Sequence, residues 1–174
     1  MQTPRRIFLI GPMGSGKSSI GRHLARRLGY PFRDTDEYLR ERTGVDIATI
    51  FEFEGESGFR QREIRAVEEL SRLDPLVMAT GGGTVVSEVN RQLLREGGFV
   101  IYLRTSLESQ LERTRSARHD RPMLDTPDPE ARLRELMEER EPHYRELADL
   151  VITTDQRPVK DVVAELQKHL EERL

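Results

Sequence analysis

Apolar residues recur in two rhythms along the chain, and the switching between them predicts the fold. The short continuous runs Ile7-Phe8-Leu9-Ile10, Leu76-Val77-Met78-Ala79, Phe99-Val100-Ile101-Tyr102-Leu103 and Leu150-Val151-Ile152-Thr153 predict strands buried on both faces. Residues 30–36, Tyr-Pro-Phe-Arg-Asp-Thr-Asp, predict a further short strand, second in order, that ends in two acids. The other rhythm has a helical period. It predicts a helix from Lys17 to about Leu28, with Ile20, Leu24 and Leu28 on one face and Gly29 as its C-cap. A brief helix is expected over Glu37–Arg42, closed by Gly44, and another over Ile47–Phe53, capped by Asp46. Gly55-Glu56-Ser57-Gly58 is read as a break, and Phe59 to Leu73 as a long charged helix ended by Asp74-Pro75. Helices are also expected over 87–96, 106–115 and 130–147, and from about Val159, where Val159, Val162, Val163, Leu166 and Leu170 make one stripe. Strands alternating with helices imply an α/β fold: a parallel sheet covered on both faces, three layers in one domain of 174 residues. In such a sheet ligands gather at the carboxyl ends of the strands. That selects three places: residues 11–18, the acids Asp34 and Asp36, and Gly81-Gly82-Gly83.

Composition narrows the chemistry. A net charge of −3 gives no global field for nucleic acid, so any anion site is local. Without cysteine there are no disulfides, thiolate metal sites or cysteine nucleophile. The four histidines are scattered without metal-ligand spacing. No apolar run reaches the ~18 residues of a membrane span, and the N-terminus has no signal-peptide core, so the expected location is cytoplasmic.

Residues 11–18, Gly-Pro-Met-Gly-Ser-Gly-Lys-Ser, match the phosphate-loop pattern G-x-x-x-x-G-K-[ST] between a strand and a helix. Glycines let the chain curl so that backbone N–H groups converge on a polyphosphate, and the following helix points the positive end of its dipole at the anion. Lys17 is the sole lysine before residue 160 in a chain with 25 Arg and 3 Lys; it can reach the terminal phosphates. Ser18 can offer its hydroxyl to Mg2+. A guanine-reading N-K-x-D is absent, and the third strand ends in Thr80 and three glycines rather than an acid. Asp34 is therefore the metal-side candidate, acting through water, and Asp36 the candidate to take or orient a substrate hydroxyl. Two readings of Asp36 stand at this point, substrate contact and N-cap of the helix over 37–42. Arg60 and Arg140, two among 25 Arg, are read from the residues alone as solvated surface arginines before they are read as site residues. Arg113, Arg115, Arg118 and Arg121, in an aperiodic stretch rich in Arg, Pro and Asp, are read either as a cationic lid or as a solvated charge run.

Taken together, the phosphate loop, Asp34-Thr35-Asp36, Gly58-Phe59-Arg60 with Glu63, Thr80-Gly81-Gly82-Gly83, Arg121-Pro122-Met123-Leu124 and Arg140-Glu141-Pro142-His143-Tyr144 resemble the shikimate kinase family, a small relative of the nucleoside monophosphate kinases, over nearly the whole chain. The resemblance implies a five-stranded parallel sheet of order 2-3-1-4-5, a substrate-binding segment at about 34–63, a lid at about 113–129, and a monomer. It implies transfer of the γ-phosphate of ATP, with Mg2+, to the 3-hydroxyl of shikimate on the route to chorismate and the aromatic amino acids. ATP would lie on Gly14, Ser15, Gly16, Lys17, Ser18 and Ser19, bordered by Arg113, Arg121, Gln156 and Arg157. Lys17, Asp36 and Arg121 would be catalytic. Asp36, Arg60, Gly82 and Arg140 would bind shikimate, with Glu63 orienting the arginines, and Ser18 and Asp34 would serve the metal. The rival expectations are a kinase for another small hydroxy acid such as gluconate, a nucleoside monophosphate kinase, and a nucleotide-binding regulator without a product.

Overall fold

Arg6–Ile10 forms β1, the middle strand of five, and its last four residues are wholly buried. The computed structural model describes residues 2–115 and 121–173. After β1 come α1 (Lys17–Leu28), β2 (Phe32–Asp34), α2 (Thr35–Thr43), α3 (Ile47–Leu70), β3 (Leu76–Ala79) and, past a 3-10 turn at Thr84–Val86, α4 (Glu88–Gly97). Then follow β4 (Phe99–Arg104), α5 (Leu107–Thr114), a 3-10 turn at Pro122–Leu124, α6 (Pro129–Leu147), β5 (Leu150–Thr153) and α7 (Val159–Glu172). The strands are parallel in the order β2-β3-β1-β4-β5, as the resemblance implied.

The alternation of side chains along each strand splits the core in two. Ile7, Leu9, Val77, Ile101 and Ile152 face α1 and α7, where Ile20, Leu24, Val162, Val163 and Leu166 meet them. Phe8, Ile10, Met78, Val100 and Tyr102 face the other way, onto Val67 and Leu70 of α3, Leu94 of α4, and Tyr144 and Leu147 of α6. Burying each such aliphatic side chain contributes about 1.5–3 kcal/mol, which is why the sheet frame is rigid enough to carry a site on its edge. A third cluster of Leu39, Ile47, Ile50, Phe59 and Ala66 joins α2 to α3 outside the sheet.

Two expected boundaries are corrected. The second strand ends at Asp34, not Asp36, because the Asp34 carboxylate caps α2 by accepting from the N–H groups of Asp36 and Glu37 at 2.9 and 3.2 Å. The capping role considered for Asp36 therefore belongs to Asp34, and Asp36 sits in the first turn. The expected four-residue break at 55–58 is a kink at Gly55 alone (φ 69°, ψ −179°) within α3, which ends at Leu70 rather than Leu73.

Candidate active site

Register brings the three ligand-seeking places together. Asp34 of β2 lies level with Ala79 of β3, and Ala79 is level with Leu9 of β1. Asp34-Thr35-Asp36, the glycine run and the phosphate loop therefore leave one edge of the sheet side by side. The loop is shaped by backbone that only glycine holds easily: Gly11, Gly14 and Gly16 have φ of 147°, 78° and 92°, and a Cβ on Gly11 would lie 2.6 Å from the Leu103 carbonyl oxygen. It is also held from outside. Thr154, just past β5, donates through Oγ1 to the Ser15 carbonyl at 3.0 Å. Arg113 bridges the Gly14 carbonyl and the Thr154 carbonyl, each at 2.9 Å.

Lys17 starts α1 and folds back over the loop, its Nζ donating to the carbonyls of Gly11 (2.6 Å) and Pro12 (2.8 Å). Burial, reinforced by the charge of Arg121, pushes its ammonium down to about 7. Ser18 Oγ donates to Asp34 Oδ2 at 2.5 Å while Asp34 Oδ1 holds the α2 amides. The carboxylate is thus aimed at the loop by its own capping bonds. Ser18, Ser19, Lys17, Gly14, Gly16, Arg113 and Arg121 line this first cleft with Asp34 and Asp36, while Ser15 is buried beneath it. Gln156 and Arg157 line neither cleft of the site. Gln156 takes a left-handed turn (φ 50°), and Arg157 is tied to the Thr153 carbonyl at 3.0 Å and to Glu165.

A second cleft adjoins the first across a wall of Met13, Asp36, Gly81, Gly82 and Arg121. Its lining is apolar at Ile47, Phe51, Phe59, Pro122 and Met123, and charged where Arg60, Arg121 and Arg140 meet Asp36 and Glu63. Three cations against two carboxylates leave a place for an anion. Glu63 is fully buried on α3. One of its oxygens accepts from Arg60 Nη1 at 2.9 Å, the other from Thr84 Oγ1 at 2.9 Å. Arg140, on α6, is only 4% exposed, and its Nε is buried without a hydrogen-bond partner among the described residues. Burial, aided by the nearby charge of Arg60, holds its guanidinium below the usual arginine range. The glycines let these groups close in: a Cβ on Gly82 would stand 3.4 Å from Arg140 Nη1, and one on Gly83 would collide with the Arg60 guanidinium. Asp36 stands between the two clefts. Burial, with the charges of Asp34 and Glu63, pushes its carboxyl up to about 6.

The structure thus brings together Lys17, Ser18, Asp34, Asp36, Arg60, Glu63, Gly82, Arg121 and Arg140. Arg118, considered for the lid with Ser116 to Asp120, lies outside the described residues. Sequence reasoning passed over Thr35, whose Oγ1 accepts from the Gly81 N–H at 3.0 Å, and Thr84, Thr154 and Tyr144, which fix Glu63, the phosphate loop and Gly82. Two of these carried a signal: Thr35 stands between the two aspartates of its motif, and Tyr144 one helical turn after Arg140 in its own.

A family model for shikimate kinase matches residues 13–171. The chain belongs to the shikimate kinase family. It is 53% identical over 169 residues to a shikimate kinase of Thioalkalivibrio sulfidiphilus, covering 97% of this chain and 88% of that one. To a shikimate kinase of Pseudomonas putida it is 51% identical over 168 residues, 97% of each. Its fold superposes on a shikimate kinase from Acinetobacter baumannii in complex with shikimate with a TM-score of 0.94, at 43% identity and with 97% and 94% of the chains covered. A gluconokinase from Sinorhizobium meliloti shares the fold at a TM-score of 0.64 and 21% identity, over 99% and 94% of the two chains; that likeness is one of fold alone. With family membership comes shikimate kinase activity, an ATP-dependent phosphoryl transfer in aromatic amino acid biosynthesis. Among the described residues no helix is long and apolar enough to cross a membrane.

Proposed function

We propose that the two clefts divide the reaction, ATP lying along the phosphate loop and shikimate in the arginine-lined cleft with its carboxylate between Arg60 and Arg140. The observation that carries this is that Arg60 and Arg140 line one cavity together with Arg121, three guanidinium groups against the carboxylates of Asp36 and Glu63. Planar guanidinium groups match a carboxylate through paired N–H donors, which a lysine ammonium does not. The Gly82 N–H adds a donor, and Glu63 keeps Arg60 facing the cleft.

The 3-hydroxyl then meets Asp36. Its O–H bond breaks as the new O–P bond forms and the bond from γ-phosphorus to the bridging oxygen of ADP opens; the proton passes to Asp36, ionised at neutral pH because its carboxyl titrates at about 6. Transfer through a loose transition state asks mainly for positioning and charge compensation. Lys17 leaves the Gly11 and Pro12 carbonyls for the phosphates, and Arg121, on the wall common to both clefts, faces the transferring group.

Mg2+ fits the residues present: the Ser18 hydroxyl and the Asp34 carboxylate are hard oxygen donors turned toward the loop, few enough to suit an ion that keeps most of its water. Held there by Ser18 and Asp34, it would supply charge neutralisation to the polyphosphate. Arg113 borders the nucleotide cleft, and the Gln156–Arg157 turn reaches the base from outside it. Segment 34–63 is the acid-binding region and 113–129 the lid of a single domain, and the protein works as a monomer in the cytoplasm. A coupled ADP-release assay with ATP and Mg2+ tests the assignment. Turnover with shikimate far above gluconate and AMP is expected; preference for either alternative would reject it.

A further inference from the structure

Three successive glycines form the most permissive backbone a chain can make, yet here they must hold a substrate-facing N–H still. Gly81 is pinned by Thr35 through its N–H and by the Thr84 N–H through its carbonyl, and the Gly83 carbonyl accepts from the Val86 N–H. The middle of the run is held by Tyr144, whose hydroxyl donates to the Gly82 carbonyl at 2.5 Å. The Tyr144 ring is itself immobilised, fully buried and stacked on Tyr102 at 5.0 Å, and the Tyr102 hydroxyl is tied to Glu141. Arg140 lies one turn before Tyr144 on α6 and faces the same glycine. Its guanidinium interacts with the Tyr144 hydroxyl. One phenol thus meets two of the groups assigned to the acid.

We infer that Tyr144 is a positioning residue for the acid half of the cleft, setting the Gly82–Gly83 peptide and the Arg140 guanidinium in one geometry before substrate arrives. The inference rests on the proposed placing of the shikimate carboxylate in this cleft, between Arg60 and Arg140 with Gly82 beside them. Tyr144 does not line either cleft, so it works through those two groups. Burial keeps its hydroxyl well above the ordinary tyrosine range, so it donates at every pH at which the enzyme works.

The test is a set of three folded variants compared in steady state. Tyr144→Phe keeps the ring and the stack and removes the bond to Gly82. Losing one buried hydrogen bond predicts a rise in shikimate KM of roughly 5- to 10-fold, with ATP KM unchanged and the ratio to the parent flat from pH 6.5 to 9. Tyr102→Phe removes the neighbouring hydroxyl, which does not touch Gly82, and is expected to leave shikimate KM as it was. Arg60→Lys tests the underlying assignment and is expected to raise shikimate KM. Should Tyr144→Phe not be recovered folded, Tyr144→Leu is measured in its place. A Tyr144 variant whose Tm falls while shikimate KM stays the same, or whose two KM values rise together, overturns the inference while the Arg60 result keeps the assignment. Unchanged shikimate KM in Arg60→Lys overturns the assignment itself.

Discussion

Asp36 is ionised where that is unfavourable. It is half-buried between the clefts, it faces Asp34 and Glu63, and its carboxyl is raised from 3.8 to about 6. A folded-state value above the unfolded one means that the group's contribution to stability is fully present below about 3.8 and lost as pH rises through about 6. At neutral pH the charge is therefore a strain on the fold, one that the proposed role in phosphoryl transfer requires. Asp36→Asn is expected to raise Tm by a few degrees, since 1 kcal/mol corresponds to roughly 2–4 °C at this size. The same change is expected to lower kcat by about 10²–10⁴, with ATP KM nearly unchanged; a fall in Tm with normal kcat would contradict it. Lys17 moves the other way, down to about 7. The free enzyme loses this charge above that pH, so kcat/KM for ATP should fall on the alkaline side, whereas kcat at saturating ATP should not, because bound phosphates favour the ammonium. A pH profile of both parameters checks this. Arg60→Lys keeps the charge but loses the paired donors, and is expected to raise shikimate KM about tenfold or more while sparing ATP KM; equal effects on both would remove Arg60 from the acid.

At the scale of elements, the glycine run between β3 and the Thr84 turn determines how close the arginines come. Gly83→Ala would put a methyl against the Arg60 guanidinium, within 2.5 Å of Nη1. The side chain can swing aside, so the fold should survive with Tm little changed while shikimate KM rises several-fold; an unaltered KM would show that Arg60 need not hold this position. The elements themselves were legible because their signals are local. Buried strands are continuous apolar runs, Gly29 and Gly44 close helices with φ of 68° and 74°, and Asp46 caps α3 through the Thr49 N–H at 2.8 Å. The β2–α2 boundary was misread because either aspartate could cap, and only the extended backbone at Asp34 decides which one does. The helix through residues 56–58 was missed because two glycines look like a loop although only Gly55 leaves helical geometry. Thr84 and Thr154 were invisible for another reason. Their partners, Glu63 and Ser15, lie 21 and 139 residues away, and a threonine carries no motif to announce such a pairing.

For the whole molecule, the parallel sheet of order β2-β3-β1-β4-β5 sets the phosphate-loop cleft beside the arginine-lined one, the two proposed to take ATP and shikimate. The wall between them carries Asp36 and Arg121, to which the proposal gives the roles of base and charge stabiliser. On that proposal a chain of net charge −3 can bind two anionic substrates because its clefts gather Lys17, Arg60, Arg121 and Arg140, a local cationic group that the net charge does not reveal. The three strand-end motifs could be read from sequence because the sheet rule sends them to one edge, but their division into two clefts depends on the α2–α3 cluster standing away from the sheet. The most direct test is a crystal structure with shikimate and a non-hydrolysable ATP analogue. The account predicts the shikimate carboxylate between Arg60 and Arg140, the 3-hydroxyl at Asp36 and the terminal phosphate at Lys17. A carboxylate turned toward the phosphate loop, away from both arginines, would contradict it.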